Sequence, residues 1–544
     1  MDGYAREFGM IPDPRLVQAG AALDAGDAQH ALTIGAQVLS DMPAHVPALL
    51  VTGKAAMAAG AVEAGRTMLL GALRHWPADA DFFAGLPRRE AVSPTFIRGL
   101  ELLEKRHINE AIRCFEDALL EQPQNWQADV NYGVALKQAE RLQEAENAYR
   151  RALLKAPNHP QLIGNLANVV GLRTDGIDEA ILLLSRRLEL EPYEAQAWLG
   201  LGQALRRAGR CSEAEALCRQ AIIRDPEHVA AHVTLAMLLL AKGAWAEGFC
   251  EYEWRRRLPM YRPDSEPGSI PEWTGQPIDQ RLILLHAEQG LGDVIMFARF
   301  AALLVQDGAR VWIACDTQLV PIIASLPGIV GACDNETRLP HHEMQAPLLS
   351  LPYLKEICDV SADTPYLAAK PAQVAKWQAL LPVTGVLRIG LVWAGNASFP
   401  GDAQRSLKLS MLLPLIHALP EVTFIALQKG DGRRDLEELS EPPPANFHDF
   451  GHRLRDLADT AAIMASLDLI LCVDTAPAHL AGAIGRPTWL LLPPFGDWRW
   501  GETSETTPWY PQMRIWRRAF GQSWGQVIAR VQEALKKLAA RQLD

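Results

Sequence analysis

The stretch Asp468-Leu-Ile-Leu-Cys-Val-Asp474-Thr-Ala-Pro-Ala-His479-Leu-Ala-Gly-Ala-Ile-Gly-Arg-Pro487 decides how the C-terminal half of the chain reads. Leu469 to Val473 is an apolar strand. It breaks at Asp474-Thr475-Ala476-Pro477 and resumes as a helix of small residues, Ala478 to Ile484, that stops at Gly485. A strand that turns at once into a helix leaves free backbone N–H groups at the positive end of the helix dipole, a ready position for phosphate. Pro477 suits a first helical turn, where its missing N–H is no loss. The small residues Ala478, Ala481, Gly482 and Ala483 let a ligand or a neighbouring strand come close. A plainer reading gives Asp474 or Thr475 no task beyond capping the helix.

The sequence on either side continues the alternation of strand and helix. Arg388-Ile-Gly-Leu-Val-Trp-Ala-Gly395 is a strand ending in a glycine turn. A polar loop, Asn396 to Ser406, carries Asp402, Arg405 and Ser406 into a helix from Leu407 to Leu419. Val422 to Leu427 is the next strand, with Gln428 and Lys429 at its exit. Arg433 and Arg434 follow in the same loop and read as a solvated face, before a helix from Asp435. A helix from Asp456 to Ala465 leads into the opening stretch, and Pro487 to Pro494 is one more strand. Phe495, Trp498, Trp500, Trp509 and Tyr510 then form an aromatic run that reads as packing rather than as a sugar platform. Residues 381–520 therefore make one α/β domain, and residues 521–544 a closing amphipathic helix.

A second such domain precedes it, over residues 281–380. Arg281 to His286 is a short strand that runs into Ala287-Glu-Gln-Gly290-Leu-Gly292-Asp293-Val294 and a helix, Ile295 to Gln306. Ala309 to Cys315 is the next strand, with others near Ile329 to Ala332, Ala346 to Leu351 and Tyr366 to Lys370. Strand, helix and strand joined by short loops imply a parallel sheet covered on both faces. The Gly290-Leu-Gly292-Asp293 loop leaves the C-terminal end of its first strand, where open α/β sheets place ligands. The plain alternative is an N-cap, and the third glycine of a dinucleotide fingerprint is missing. Two α/β domains with such loops predict a cleft, with the Asp293 loop facing those of Arg405, Gln428 and Asp474 to His479.

The N-terminal half reads differently. Prolines stand at Pro43, Pro77, Pro123, Pro157, Pro192 and Pro226, in steps of 34, 46, 34, 35 and 34 residues. With each proline at position 32 of a 34-residue unit, position 8 is Gly53, Gly99, Gly133 and Gly202. Position 20 is Ala31, Ala111, Ala145, Ala180 and Ala214, and position 27 is Ala72, Ala118, Ala152 and Ala221. Small residues at fixed positions let two antiparallel helices touch, and the proline ends the second helix. This register resembles the tetratricopeptide repeat. The array spans residues 1–260, with a break near residues 82–92, and a seventh unit from Val229 into Gly248–Arg255 reads as a cap docking onto the next domain. Residues 261–280, rich in proline, form a linker pinned by Trp273.

Composition sets limits. Apolar residues make up 49% of 544 and charged ones 22%, ordinary for a soluble globular protein of several domains. A net charge of −11 argues against a general nucleic-acid or anionic-membrane binder. The eight cysteines form no CxxC pair or zinc-spaced cluster and read as reduced thiols. Met1 to Arg15 lacks the apolar core of a signal peptide, and no run nears the roughly 20 apolar residues of a membrane span. The expected location is the cytoplasm, with no integral membrane segment.

With Asp474-Thr-Ala-Pro-Ala-His479-Leu-Ala-Gly-Ala as its most specific part, the second half resembles a GT-B glycosyltransferase of the heptosyltransferase-like group, fused to tetratricopeptide repeats. Such fusions occur among bacterial protein glycosyltransferases, flagellin-modifying ones included. The resemblance covers about residues 280 to 520. It implies two Rossmann-like domains facing a cleft, the first on the acceptor side and the second on the nucleotide-sugar side. Asp293 matches the group's proposed general base. Asp474, Thr475, Ala476 and His479 match its donor-phosphate motif, and Arg405 stands where the group more commonly has Lys. Ser406, Gln428 and Lys429 join the donor side, and Gly290, Gly292, Gly395 and Asn396 bring backbone close. No DxD motif stands at a strand end, so no metal or cofactor is required beyond the nucleotide-sugar. Inverting transfer needs a base for the acceptor proton and a cation or helix end for the leaving phosphate. The expected partners are a nucleotide-sugar donor and a polypeptide acceptor on the repeats. Rival readings are a lipopolysaccharide-type transferase with a lipid or saccharide acceptor, and a non-catalytic adaptor with a degenerate transferase domain.

Overall fold

A computed structural model describes residues 13–43, 45–75, 93–173, 175–258, 270–335, 339–360, 364–382, 386–399 and 401–543. The break expected near residues 82–92, Pro77, the first twelve residues and residues 261–269 of the proline-rich linker lie outside the described residues. The chain forms two compact units, one running to Ala204 and the other starting at Leu205.

The first unit is all helix: α1 (Pro14–Asp24), α2 (Ala28–Asp41), α3 (Val46–Ala58), α4 (Val62–His75), α5 (Pro94–Glu104), α6 (Ile108–Glu121), α7 (Trp126–Gln138), α8 (Leu142–Lys155), α9 (Pro160–Val170), α10 (Ile177–Leu190) and most of α11 (Ala195–Arg207). The repeat register accounts for how they pair. Ala31, Ala72, Ala111, Ala118, Ala145, Ala152 and Ala180 are all fully buried. A Cβ at Gly99 would stand 2.6 Å from the Phe115 ring, and one at Gly133 2.7 Å from that of Tyr149. The glycines are what let each ring lie against the facing helix. Pro43, Pro123, Pro157 and Pro192 each fall two residues past the end of α2, α6, α8 and α10, where a missing N–H ends the ladder.

The second unit opens with α12 (Cys211–Arg224), α13 (Val229–Ala241) and α14 (Trp245–Tyr252). Two parallel sheets follow. The first holds β1 (Leu282–His286), β2 (Arg310–Cys315), β3 (Gly331–Asp334) and β4 (Met344–Pro347) in the order β3-β2-β1-β4. Its crossings are α15 (Leu291–Ala298), α16 (Ala301–Gln306) and α17 (Val320–Ile323), with α18 (Leu351–Leu354) and α19 (Pro371–Leu380) after the last strand. The second sheet contains β5 (Leu387–Val392), β6 (Val422–Ala426), β7 (Phe447–Asp449), β8 (Leu469–Val473), β9 (Thr488–Leu492) and β10 (Met513–Arg517), ordered β10-β9-β8-β5-β6-β7. Between them run α20 (Asp402–Arg405), α21 (Leu409–His417), α22 (Arg434–Glu437), α23 (Leu457–Met464) and α24 (Ala476–Ala483), and α25 (Trp524–Leu543) closes the chain.

Both sheets reverse their winding. In the first the chain leaves β1 toward β2 and later returns to β4 on the other side. In the second it leaves β5 toward β6 and returns to β8. Ligands of open α/β sheets settle at such switch points. The loops there carry Gly290 to Asp293, Gly395 to Ser406, and Asp474 to Ala476.

Several boundaries differ from the sequence reading. The helix expected over 295–306 starts at Leu291, where Asp293 closes the first turn on Gly290, and it breaks before Ala301. The strand expected at Tyr366 to Lys370 does not form. Its Tyr366 and Leu367 N–H groups instead donate to Ala483 O, at 3.0 and 3.2 Å, ending α24. Two strands, β7 and β10, are additional.

The last repeat helices share a core with the first sheet. Phe249 and Tyr252 of α14 pack with Phe297, Trp498 and Trp509. The buried Arg255 guanidinium donates to Glu288 at 2.7 Å and to Ser350 Oγ at 2.9 Å. Trp273 is buried, with its indole N–H on Gln276 O at 2.7 Å. All eight cysteines are free, and no helix among the described residues is long and apolar enough to cross a membrane.

Candidate active site

The first wall is the β1 exit. Gly290 is the N-cap of α15, and its N–H donates to Asp293 Oδ2 at 2.9 Å. Asp293 therefore does what the plain capping reading asked of it, from inside the first turn. It also does more. Its Oδ1 is ion-paired with Arg499 Nη2. Burial pushes the Asp293 carboxyl above its ordinary range, against the pull of the Arg499 guanidinium.

Arg499 follows β9, in the short turn Trp498–Trp500. It donates Nη1 to Asp497 Oδ1 at 2.6 Å and lies over the Trp498 ring, 4.3 Å from its centroid. Burial alone would raise the Asp497 carboxyl, but Arg499 holds it below its usual range. Tyr252 of α14 donates its hydroxyl to Gln289 Oε1 at 3.1 Å. Burial pushes that phenol up to about 12, in the field of Arg499 and Asp293.

The second wall is the turn between β8 and α24. Thr475 is the N-cap in extended conformation, and its side chain makes no capping hydrogen bond. The turn's N–H groups thus owe nothing to the Thr475 hydroxyl. His479 is buried, its Nδ1 3.0 Å from the Tyr510 hydroxyl and its ring 4.9 Å from that of Trp500. Burial, and then the Arg499 charge, press its imidazole down to about 3. It is neutral at ordinary pH, so it offers a phosphate no charge. A Cβ at Gly292 would stand 2.7 Å from His479 Cδ2 and 3.6 Å from Ala476 Cα. The bare backbone of Gly292 is what lets α15 meet the start of α24. Burial and the neighbouring Asp497 raise the Asp474 carboxyl, and Arg405 and Arg499 oppose them.

The third wall is the β5 exit, organised by a residue outside the expected site set. Asp402 Oδ1 accepts Arg405 Nε at 2.9 Å, and its Oδ2 accepts the Ser406 hydroxyl at 2.7 Å. Ser406 Oγ in turn accepts the Gly395 N–H at 2.8 Å. Arg405 also lies 4.4 Å over the Phe399 ring. A Cβ at Gly395 would stand 2.5 Å from Asp402 Oδ1 and 2.8 Å from Arg405 Nη2, so the glycine makes room for this clamp. Asn396 Oδ1 closes a local turn on the Ser398 N–H at 3.0 Å.

Two expected donor contacts are otherwise engaged. Gln428 Oε1 accepts the Trp393 and Ala394 N–H groups, both at 2.9 Å, and Nε2 donates to Ala394 O and Lys429 O. It ties β5 to β6. Lys429 Nζ donates to Leu454 O at 2.8 Å and Arg455 O at 3.1 Å. Arg433 is paired with Asp449 through both terminal nitrogens, each at 2.7 Å.

Asp293, Asp474 and His479 thus all lie in the field of Arg499, Arg405 acts on Asp474, and Gln428 and Lys429 support the loops from behind. Sequence reading missed Arg499, Asp497 and Tyr252. The available signal was charge inside an aromatic run, since Asp497 and Arg499 alternate with Trp498 and Trp500. Among the described residues no three His, Cys, Asp or Glu side chains gather as a metal site requires.

Residues 454–524 match the glycosyltransferase family 9 (heptosyltransferase) model, and residues 98–161, 172–226 and 199–253 match a tetratricopeptide-repeat model. The chain carries tetratricopeptide repeats joined to a family 9 glycosyltransferase domain, which is of the GT-B, nucleotide-sugar-dependent class. It is similar to protein FlbA of Caulobacter vibrioides, 28% identical over 462 residues, covering 79% of this chain and 76% of that protein. Among solved structures, that of MamA is 18% identical, covering 29% of this chain and 92% of its own, with a TM-score of 0.27. A tetratricopeptide-repeat protein of Thermus thermophilus is 20% identical, covering 31% and 92%, with a TM-score of 0.28.

Proposed function

We propose that this protein transfers a sugar, with inversion and without a metal ion, from a nucleotide-sugar to a polypeptide held by its repeats. Asp293 takes the proton from the acceptor hydroxyl. That oxygen forms the new bond to the anomeric carbon, the bond from that carbon to the donor phosphate breaks, and the nucleotide leaves with the electron pair. Arg405 and the N–H groups of Thr475 and Ala476 stabilise the negative charge that develops. Ser406 and Asp402 fix Arg405, His479 fixes the contact of α24 with α15, and Gln428 and Lys429 hold the exits of β5 and β6. The domain limits at residues 260, 280, 380 and 520 and a cytoplasmic location are part of this reading.

The observation that carries it is the approach of the Asp293 turn to the Asp474–Ala476 turn through Gly292, which brings a carboxylate and an anion-binding helix end together. A polypeptide acceptor is favoured over a lipid because seven helix hairpins precede the transferase domain among the described residues. Intact-mass spectrometry of candidate acceptor proteins co-expressed with this chain tests the proposal. A glycosyl mass increment that depends on Asp293 supports it, and unmodified acceptors across the panel reject the polypeptide reading.

A further inference from the structure

The Asp293 carboxylate is poorly placed to take a proton while both oxygens are engaged. Gly290 N–H occupies Oδ2 and Arg499 occupies Oδ1. A guanidinium paired to a carboxylate favours its ionised form and weakens it as a base. The Gly290 contact belongs to the helix turn and moves only with the backbone. The Arg499 contact is a side chain on the turn after β9, and a second carboxylate, Asp497, holds its other terminal nitrogen at 2.6 Å. Arg499 can therefore leave Asp293 without losing its anchor. Its Nε is buried and has no hydrogen-bond partner, and Arg499 is only 6% exposed. Trp500 lies against His479 of α24. The Arg499 charge reaches both His479 and Asp474, the residues that flank the anion-binding turn.

We propose that Asp293 and the donor's phosphate compete for Arg499, so that binding of the nucleotide-sugar draws the guanidinium away and releases the base. Arg499 is then a positioning residue that couples donor occupancy to proton abstraction. Arginine suits this exchange, because its planar fork serves carboxylate and phosphate alike. The inference rests on the glycosyltransferase reading of the same site.

The test is calorimetric titration of the full chain with ADP, GDP, UDP and CMP. Asp293→Asn removes the competing charge and still accepts the Gly290 N–H. It should bind the nucleotide the natural chain takes about five-fold more tightly or better, the size of an ordinary coupling between sites. Arg499→Gln should bind more weakly, and the double variant should bind no more tightly than Arg499→Gln alone. If Asp293→Asn proves unstable, Asp293→Ser, which also removes the competing charge and keeps an oxygen that can accept the Gly290 N–H, should show the same tightening. A gain that persists in the Arg499→Gln background marks simple repulsion by Asp293 and overturns the proposal. Unchanged or weaker binding by a folded Asp293→Asn chain also overturns it. Failure of the natural chain to bind any of the four nucleotides removes the glycosyltransferase reading itself.

Discussion

Asp293 has three tasks on two oxygens: it closes a helix turn, it pairs with Arg499, and it is the proposed base. Replacing it with Ala would remove all three together, so the informative change is Asp293→Asn. That variant should lower transfer by about 10²–10⁴, the usual range for a lost general base, with its circular dichroism unchanged. Near-natural turnover would exclude Asp293 from the chemistry. Arg405→Ala removes the cation that Asp402 holds beside Asp474. Nucleotide affinity should fall roughly ten- to hundred-fold, as for one lost charge-assisted contact of about 1.5–3 kcal/mol. Chelator added to the same titration should leave the affinity where it was. The residues named from sequence were those in local patterns: a Gly-x-Gly-Asp turn, a strand-to-helix turn, a basic residue before a helix. Arg499 was not legible because its task depends on Asp293, which lies 206 residues away in the chain.

At the scale of the element, the fold followed from spacing wherever spacing was strict. Position 20 of each repeat predicted an alanine in contact, and Ala31, Ala111, Ala145, Ala180 and Ala214 are fully buried. Gly133→Ala tests the same rule. Its Cβ would meet the Tyr149 ring at 2.7 Å, inside any normal contact, and overpacking of this kind costs about 1–3 kcal/mol. A chemical-denaturation midpoint that did not move would show that the two helices yield more easily than close packing implies. Short elements were less legible. The three residues of β7 lie in a segment after several prolines, and β10 sets Arg514 and Arg517 among apolar residues at the edge of its sheet, without the alternation that marks a strand. Tyr366 to Lys370 has strand-like composition, but its first two N–H groups went to the end of α24, a partner no local pattern reveals.

At the scale of the molecule, the repeat pattern and the transferase pattern overlap in space although they are separate in sequence. α14 is a repeat helix by register, yet Phe249 and Tyr252 are buried in the same core as Phe297 and Trp498. A chain cut at Pro271 should therefore expose that face and aggregate. One that starts just ahead of α11, near Tyr193, should remain monodisperse in size-exclusion chromatography and bind nucleotide as the full chain does. It should also fail to modify a polypeptide acceptor, and undiminished modification would assign the first hairpins a purely structural role. The tryptophans have an optical consequence. Trp245, Trp498 and Trp509 stand edge to face at 5.3–5.9 Å, and Trp500 lies beside His479. Energy absorbed by any of these indoles passes readily to its neighbours, and the one beneath the Arg499 cation is among them. The protein's own ultraviolet emission is thus wired to the guanidinium, and movement of that charge off the ring should register as a change in fluorescence without any added dye.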